Sequence, residues 1–292
     1  MIAYLFPGQA SQFVGMGKDM YDASSIAKDY FEKANEILGF RISDIMFEGT
    51  MEDLKQTKVT QPAVFLHSYI SFVLNGEKLK PIAVAGHSLG EFTALTANGT
   101  LDFEQGLELV KIRANAMQKA CDMAESTMAA VLGLEDNIVE EVCSKIDDIV
   151  IPANYNCPGQ LVISGSKDGI AKAIEKLKVA GAKRAIELQV SGAFHSPFME
   201  PAKKELAKAI EKADFKTPSI AVYQNVNALK ETDPRIIKEN LIKQLTSPVQ
   251  WTKTMRNMIE DGINHFVEVG GNGKTLINFV RRIDRSLKTE AL

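Results

Sequence analysis

Cysteine is scarce in this chain. Cys121, Cys143 and Cys157 are the only three among 292 residues. An odd number with no CxxC pair excludes a disulfide framework and a thiolate zinc site, so no metal is expected and a reducing compartment fits. No apolar run approaches the length of about 18 residues that a spanning helix needs. The opening Met1-Ile2-Ala3-Tyr4-Leu5-Phe6-Pro7-Gly8-Gln9 has no basic n-region and breaks too early for a signal peptide, so a cytoplasmic location is expected. A basic excess is missing as well. The 34 Lys+Arg stand against 37 Asp+Glu, for a net charge of −3, which argues against a dedicated nucleic-acid binder. Repeats and low-complexity linkers are absent. What the chain does have is 45% apolar residues, enough for a large core.

Apolar runs at residues 2–6, 82–85, 220–223 and 266–269 read as buried strands. Helical periodicity separates them, at 31–38, 63–74, 106–123 and 201–213. Buried strands alternating with helices indicate an α/β fold with a parallel sheet. The middle of the chain has another rhythm: strand at 128–134, helix at 136–146, strands at 150–154 and 160–164, helix at 167–179, strand at 184–190. That βαββαβ order is the ferredoxin-like pattern. The sequence therefore predicts a large α/β core, from residues 1–123 and 192–292, carrying an inserted ferredoxin-like subdomain at 124–191. Ligands favour clefts between such units.

The strongest local signal is Ala83-Val84-Ala85-Gly86-His87-Ser88-Leu89-Gly90-Glu91-Phe92, where an apolar strand runs into Gly-x-Ser-x-Gly and then a helix. A serine on such a sharp turn forces close backbone approach at Gly86 and Gly90, and its hydroxyl is presented at a helix N-terminus. There the Leu89 N–H and the helix dipole can meet developing negative charge. Ser88 is the candidate nucleophile of a hydrolase-like core.

A base must come from four histidines. His87 is the direct neighbour of Ser88, and its side chain is expected to diverge. His67 lies within an apolar helix, where a satisfied core histidine is the plainer reading. His265 precedes a strand and reads as a loop residue. His195, in Ser191-Gly192-Ala193-Phe194-His195-Ser196-Pro197, sits where the insertion rejoins the core, which is where a base belongs. Arg113 falls at the edge of the apolar stripe of its helix. It can be a snorkelling side chain, or a fork gripping a carboxylate.

Taken together, these segments resemble the malonyl-CoA:acyl carrier protein transacylase family of fatty-acid synthesis. The likeness runs through Phe6-Pro7-Gly8-Gln9-Ala10-Ser11-Gln12, Thr60-Gln61-Pro62-Ala63, the serine elbow and Ile112-Arg113-Ala114. It continues through Asn154-Tyr155-Asn156-Cys157-Pro158-Gly159-Gln160, Phe194-His195-Ser196 and Ser247-Pro248-Val249-Gln250-Trp251. The resemblance implies Ser88 as the acylated nucleophile and His195 as general base. It implies the N–H groups of Gln9 and Leu89 as oxyanion hole, and Arg113 as the partner of the malonyl carboxylate. The Gln244 carbonyl would orient the histidine. Phe194 would crowd a substituent on the malonyl C2, a clash worth only about 1–3 kcal/mol.

Malonyl-CoA is the implied donor and the phosphopantetheine thiol of holo acyl carrier protein the implied acceptor, with no bound cofactor and a monomeric enzyme. Lys183, Arg184, Lys274, Arg281 and Arg282 are candidate contacts for an acidic carrier, unless they simply form a solvated face. A serine hydrolase or thioesterase shares the elbow, and an acyltransferase serving a polyketide synthase shares the chemistry. One departure from the family pattern is Val269-Gly270-Gly271-Asn272-Gly273-Lys274-Thr275, where relatives carry Gly-Pro-Gly-Lys. This loop is not expected to touch the residues assigned to chemistry. It also ends like a phosphate-binding loop, but the required first glycine falls at Glu268, which excludes that reading.

Overall fold

The computed structural model describes residues 1–292, Glu77 through its backbone alone. Ten strands form two sheets: β1 (Ile2–Phe6), β2 (Ala83–Gly86), β3 (Ser126–Leu132), β4 (Val150–Cys157), β5 (Gln160–Ser166), β6 (Arg184–Glu187), β7 (Ala221–Tyr223), β8 (Lys230–Glu231), β9 (His265–Glu268) and β10 (Lys288–Ala291). The larger sheet has the order β10-β9-β1-β2-β7-β8. Its strands run parallel except β8, which is antiparallel to β7.

Both faces of this sheet are covered, as its short apolar strands require. Tyr4, Phe6, Val84, Val222 and Val267 point into one core. Their neighbours Ala3, Leu5, Ala83, Ala85, Tyr223 and Phe266 point into a second core around Trp251 and Leu276. The two-residue period of a strand divides one sequence run between two layers.

The smaller sheet is antiparallel, with the order β4-β5-β3-β6. With helices Asp136–Ser144 and Lys167–Val179 it completes the βαββαβ unit expected from the sequence. Ala129, Val131, Leu161 and Ile163 face its own helices. Alternate residues Met128 and Val162 face the main core instead. The second face is thus buried against the rest of the molecule.

Several bounds shift. The second strand begins at Ala83 rather than Ile82, which is 46% exposed, and it includes Gly86, in register with Phe6. The sixth strand ends at Glu187, with one further bond from Leu188 N–H to Met128 O. His265 is no loop residue. It is the buried first residue of β9, paired with Ile2 and Lys288, and its Nε2 lies 3.1 Å from Glu290 Oε1. Among the described residues no helix is long and apolar enough to cross a membrane.

Candidate active site

Three parallel strands, β1, β2 and β7, lie side by side, and the chain leaving each carboxyl edge contributes to one site. Ligands of open α/β sheets gather at such edges. Past β1 comes the Pro7–Gly8–Gln9 loop. A Cβ on Gly8 would lie 2.5 Å from His87 O, so only glycine lets this loop rest on the serine turn. Past β2 comes the turn itself. A Cβ on Gly86 would fall 1.9 Å from the Gly90 carbonyl, and one on Gly90 would fall 2.0 Å from Phe6 O. Both glycines expected from the motif are therefore sterically required. Ser88 has φ 52, and helix Gly90–Ala97 begins two residues later.

Ser88 Oγ lies 2.7 Å from His195 Nε2. On the other side of that ring, Nδ1 is 3.0 Å from Gln244 O and 3.1 Å from Ser247 O. Two carbonyls can only accept, so Nδ1 carries the proton and Nε2 accepts the serine O–H. Backbone oxygens here hold the place a carboxylate takes in a Ser-His-Asp triad. His195 also has a positive φ, 55. Burial, reinforced by the nearby Arg113 charge, pushes its pKa down to about 3, so the ring is a neutral base across the physiological range.

Arg113 arrives from helix Phe103–Met123, which Asp102 caps by accepting the Gln105 N–H. Two turns before Arg113, Gly106 lets this helix close on its neighbour, since a Cβ there would meet Thr96 Oγ1 at 2.3 Å. The arginine is completely buried. Its Nη1 donates to Gln61 Oε1 at 2.6 Å, and its Nη2 to Ser88 Oγ at 2.9 Å and Gln244 Oε1 at 3.4 Å. Nε has no partner among the described residues, and the guanidinium rests on the Phe92 ring. Burial lowers the Arg113 pKa, and the negative charge of Glu91 opposes that shift. A guanidinium whose hydrogen bonds go to neutral amides and a hydroxyl keeps its charge for an incoming anion.

The Gln9 and Leu89 N–H groups, expected as an oxyanion hole, donate to no protein acceptor among the described residues. Phe194 is 6% exposed and packs in the main core, and its carbonyl accepts from Ser164 Oγ of β5. Ser88, His195, Arg113, Gln244 and the Gln9 loop thus come together. His87 turns away, as expected, to Asn156 Oδ1 at 2.9 Å, and His67 Nδ1 accepts the Gly271 N–H.

The 269–275 loop packs beside the Gln9 loop, where a Cβ on Gly271 would meet the side chains of Pro7 and Ser11. Arg282 is exposed and donates to the β4–β5 turn, to Gln160 Oε1 at 2.7 Å and Pro158 O at 3.4 Å.

Sequence reasoning missed Asn225, and left Gln61, Glu91 and Ser247 inside motifs without a role. Glu91 reads as an ordinary acid in a first helical turn. Asn225 could have been noticed as a polar pair, Gln224-Asn225, directly after an apolar strand.

The acyl transferase domain family matches residues 3–283. A malonyl CoA-acyl carrier protein transacylase of Bacillus subtilis is 42% identical over 295 residues, covering 100% of this chain and 93% of its own. The solved acyl-carrier-protein S-malonyltransferase of Burkholderia pseudomallei superposes with a TM-score of 0.95 at 38% identity, covering 99% of this chain and 95% of that one. A malonyl-transacylase solved in complex with its type II polyketide synthase acyl-carrier protein gives a TM-score of 0.95 at 36% identity, over 100% of this chain and 95% of that one. The chain belongs to the malonyl CoA-acyl carrier protein transacylases of the acyl transferase domain family.

Proposed function

We propose that this chain moves a malonyl group from malonyl-CoA to the phosphopantetheine thiol of an acyl carrier protein, through an ester on Ser88. His195 Nε2 takes the Ser88 proton as Oγ attacks the thioester carbonyl. The carbonyl oxygen becomes an oxyanion met by the Gln9 and Leu89 N–H groups, each worth on the order of 3 kcal/mol in the transition state. The C–S bond breaks, and the departing CoA sulfur takes the proton from His195. The carrier thiol then gives its proton to His195, attacks the ester, and Ser88 Oγ leaves with that proton.

The observation that carries this reading is Arg113 Nη2 at 2.9 Å from Ser88 Oγ, in a completely buried cation. An acyl group seated on Ser88 with a carboxylate at its far end meets the guanidinium; a neutral acyl group does not. Phe194, next to the base, would limit branching at C2. Residues 124–191 act as the inserted subdomain. We further place the reaction in the cytoplasm, on a monomer with no resident cofactor.

Arg113→Ala should lose about 2 kcal/mol or more of malonyl-over-acetyl preference in kcat/KM, because a charged, hydrogen-bonded partner is removed. Full retention of that preference would remove the carboxylate role.

A further inference from the structure

A serine at φ 52 keeps that conformation only where its surroundings hold it. Much of the hold comes from one side chain. Asn225, completely buried just past β7, accepts the Ser88 N–H through Oδ1 at 2.7 Å. Through Nδ2 it donates to Gly86 O at 2.7 Å, so it grips the turn before and at the serine. Asn225 is itself fastened. Its backbone N–H donates to Glu91 Oε2 at 2.7 Å, and that completely buried carboxylate also accepts Gln224 Nε2 at 3.2 Å. Gln244 closes the ring: Nε2 donates to Ser88 O at 3.0 Å and reaches Asn225 Oδ1 at 3.4 Å. The carbonyl of the same Gln244 accepts from His195 Nδ1. The main chain around the serine and the proton on the histidine are thus referred to one buried polar network. Asn225 makes no hydrogen bond to Ser88 Oγ.

We propose that Asn225, seated on Glu91, is a positioning residue that keeps the Ser88 turn left-handed and so holds Oγ against His195 Nε2. Without the Oδ1 acceptor, the turn relaxes toward negative φ and Oγ leaves its 2.7 Å contact with the base. A second consequence follows from the same bond. The Ser88 N–H is already taken, which leaves Leu89 and Gln9 as the oxyanion donors.

This inference rests on Ser88 as the nucleophile, so the test reads that serine without any acyl donor. The full chain is treated with a fluorophosphonate, and the rate of Ser88 modification is followed by mass. No label on Ser88 in the unaltered protein would overturn the nucleophile assignment and this inference with it. With labelling established, Asn225→Ala is expected to slow it about 100-fold, the scale of a misplacement near 1 Å. Malonyl transfer should lose kcat by a similar factor with KM for malonyl-CoA within about threefold. A loss under about threefold, or one carried by KM, contradicts the positioning role.

Asn225→Asp is the second variant and covers the case in which the alanine protein does not fold. Buried, its carboxyl stays protonated, accepts the Ser88 N–H and donates to Gly86 O much as the amide does. Labelling within about tenfold of the unaltered rate supports the proposal, since most of the loss expected from misplacement is then recovered. A slower rate overturns it.

Discussion

His195 and Arg113 are polar groups at nearly complete burial, and their proximity sets the acid–base behaviour of the site. The imidazole is deprived of solvent and faces a cation, and both effects favour its neutral form. Its folded pKa of about 3 lies well below the 6.5 of a free histidine, so the base is already competent in mild acid. The acid limb of kcat/KM against pH should therefore fall below about pH 5, whereas a limb at the ordinary histidine value near 6.5 would contradict the site's electrostatics. The histidine itself was only partly legible. Four candidates could be ranked by sequence position, and the resemblance named Gln244. That Ser247 O joins Gln244 O on Nδ1 depends on a loop closing from 50 residues away, which no local pattern encodes.

At the scale of the element, the strand–turn–helix around Ser88 was readable because its constraint is local. Gly-x-Ser-x-Gly is a statement about backbone atoms 1.9 and 2.0 Å from where Cβ atoms would be. Gly90→Ala should accordingly destabilise the protein by about 3 kcal/mol or more, because the atoms it meets are main chain and cannot rotate away. Urea unfolding checks this; a change below about 1 kcal/mol would mean that the turn can open without cost. The brace behind the turn was not readable. Glu91 and Asn225 are 134 residues apart, and each alone looks like a solvated polar residue at an element's end. The β-strands show the same division. Their alternation was visible, whereas the bounds moved wherever a single hydrogen bond decided the end, as at Leu188.

Across the whole molecule, the small sheet is joined to the catalytic residues at several points. Ser164 of β5 holds the Phe194 carbonyl beside the base, and Ala153 and Tyr155 of β4 bond the main chain of Val249. Asn156 holds His87, and Arg282 of the core holds the β4–β5 turn. The βαββαβ order could be read from the sequence, but not these ties, which depend on how the two sheets are placed. The same burial makes the protein sensitive to acid. His67 and His87 are pushed down to about 4 and His195 to about 3. Below 6.5 the unfolded chain takes up protons that the native state refuses, so this stability is full above 6.5 and is lost as pH falls toward 4. Buried Glu91, whose pKa is raised, has the opposite sign and offsets part of the loss. Each histidine contributes on the order of 2 kcal/mol at pH 5 relative to neutral pH. The melting temperature should therefore drop between pH 7 and pH 5, and a rise over that interval would contradict the burial of these rings.

The central claim is a malonyl ester on Ser88 that waits for a thiol. Intact-protein mass after brief mixing with malonyl-CoA, and again after adding holo acyl carrier protein, tests it most directly. The account expects a single malonyl adduct that persists in buffer, moves to the carrier, and is absent in Ser88→Ala. Release of CoA with neither adduct nor acylated carrier would contradict it, and so would an adduct that survives in Ser88→Ala.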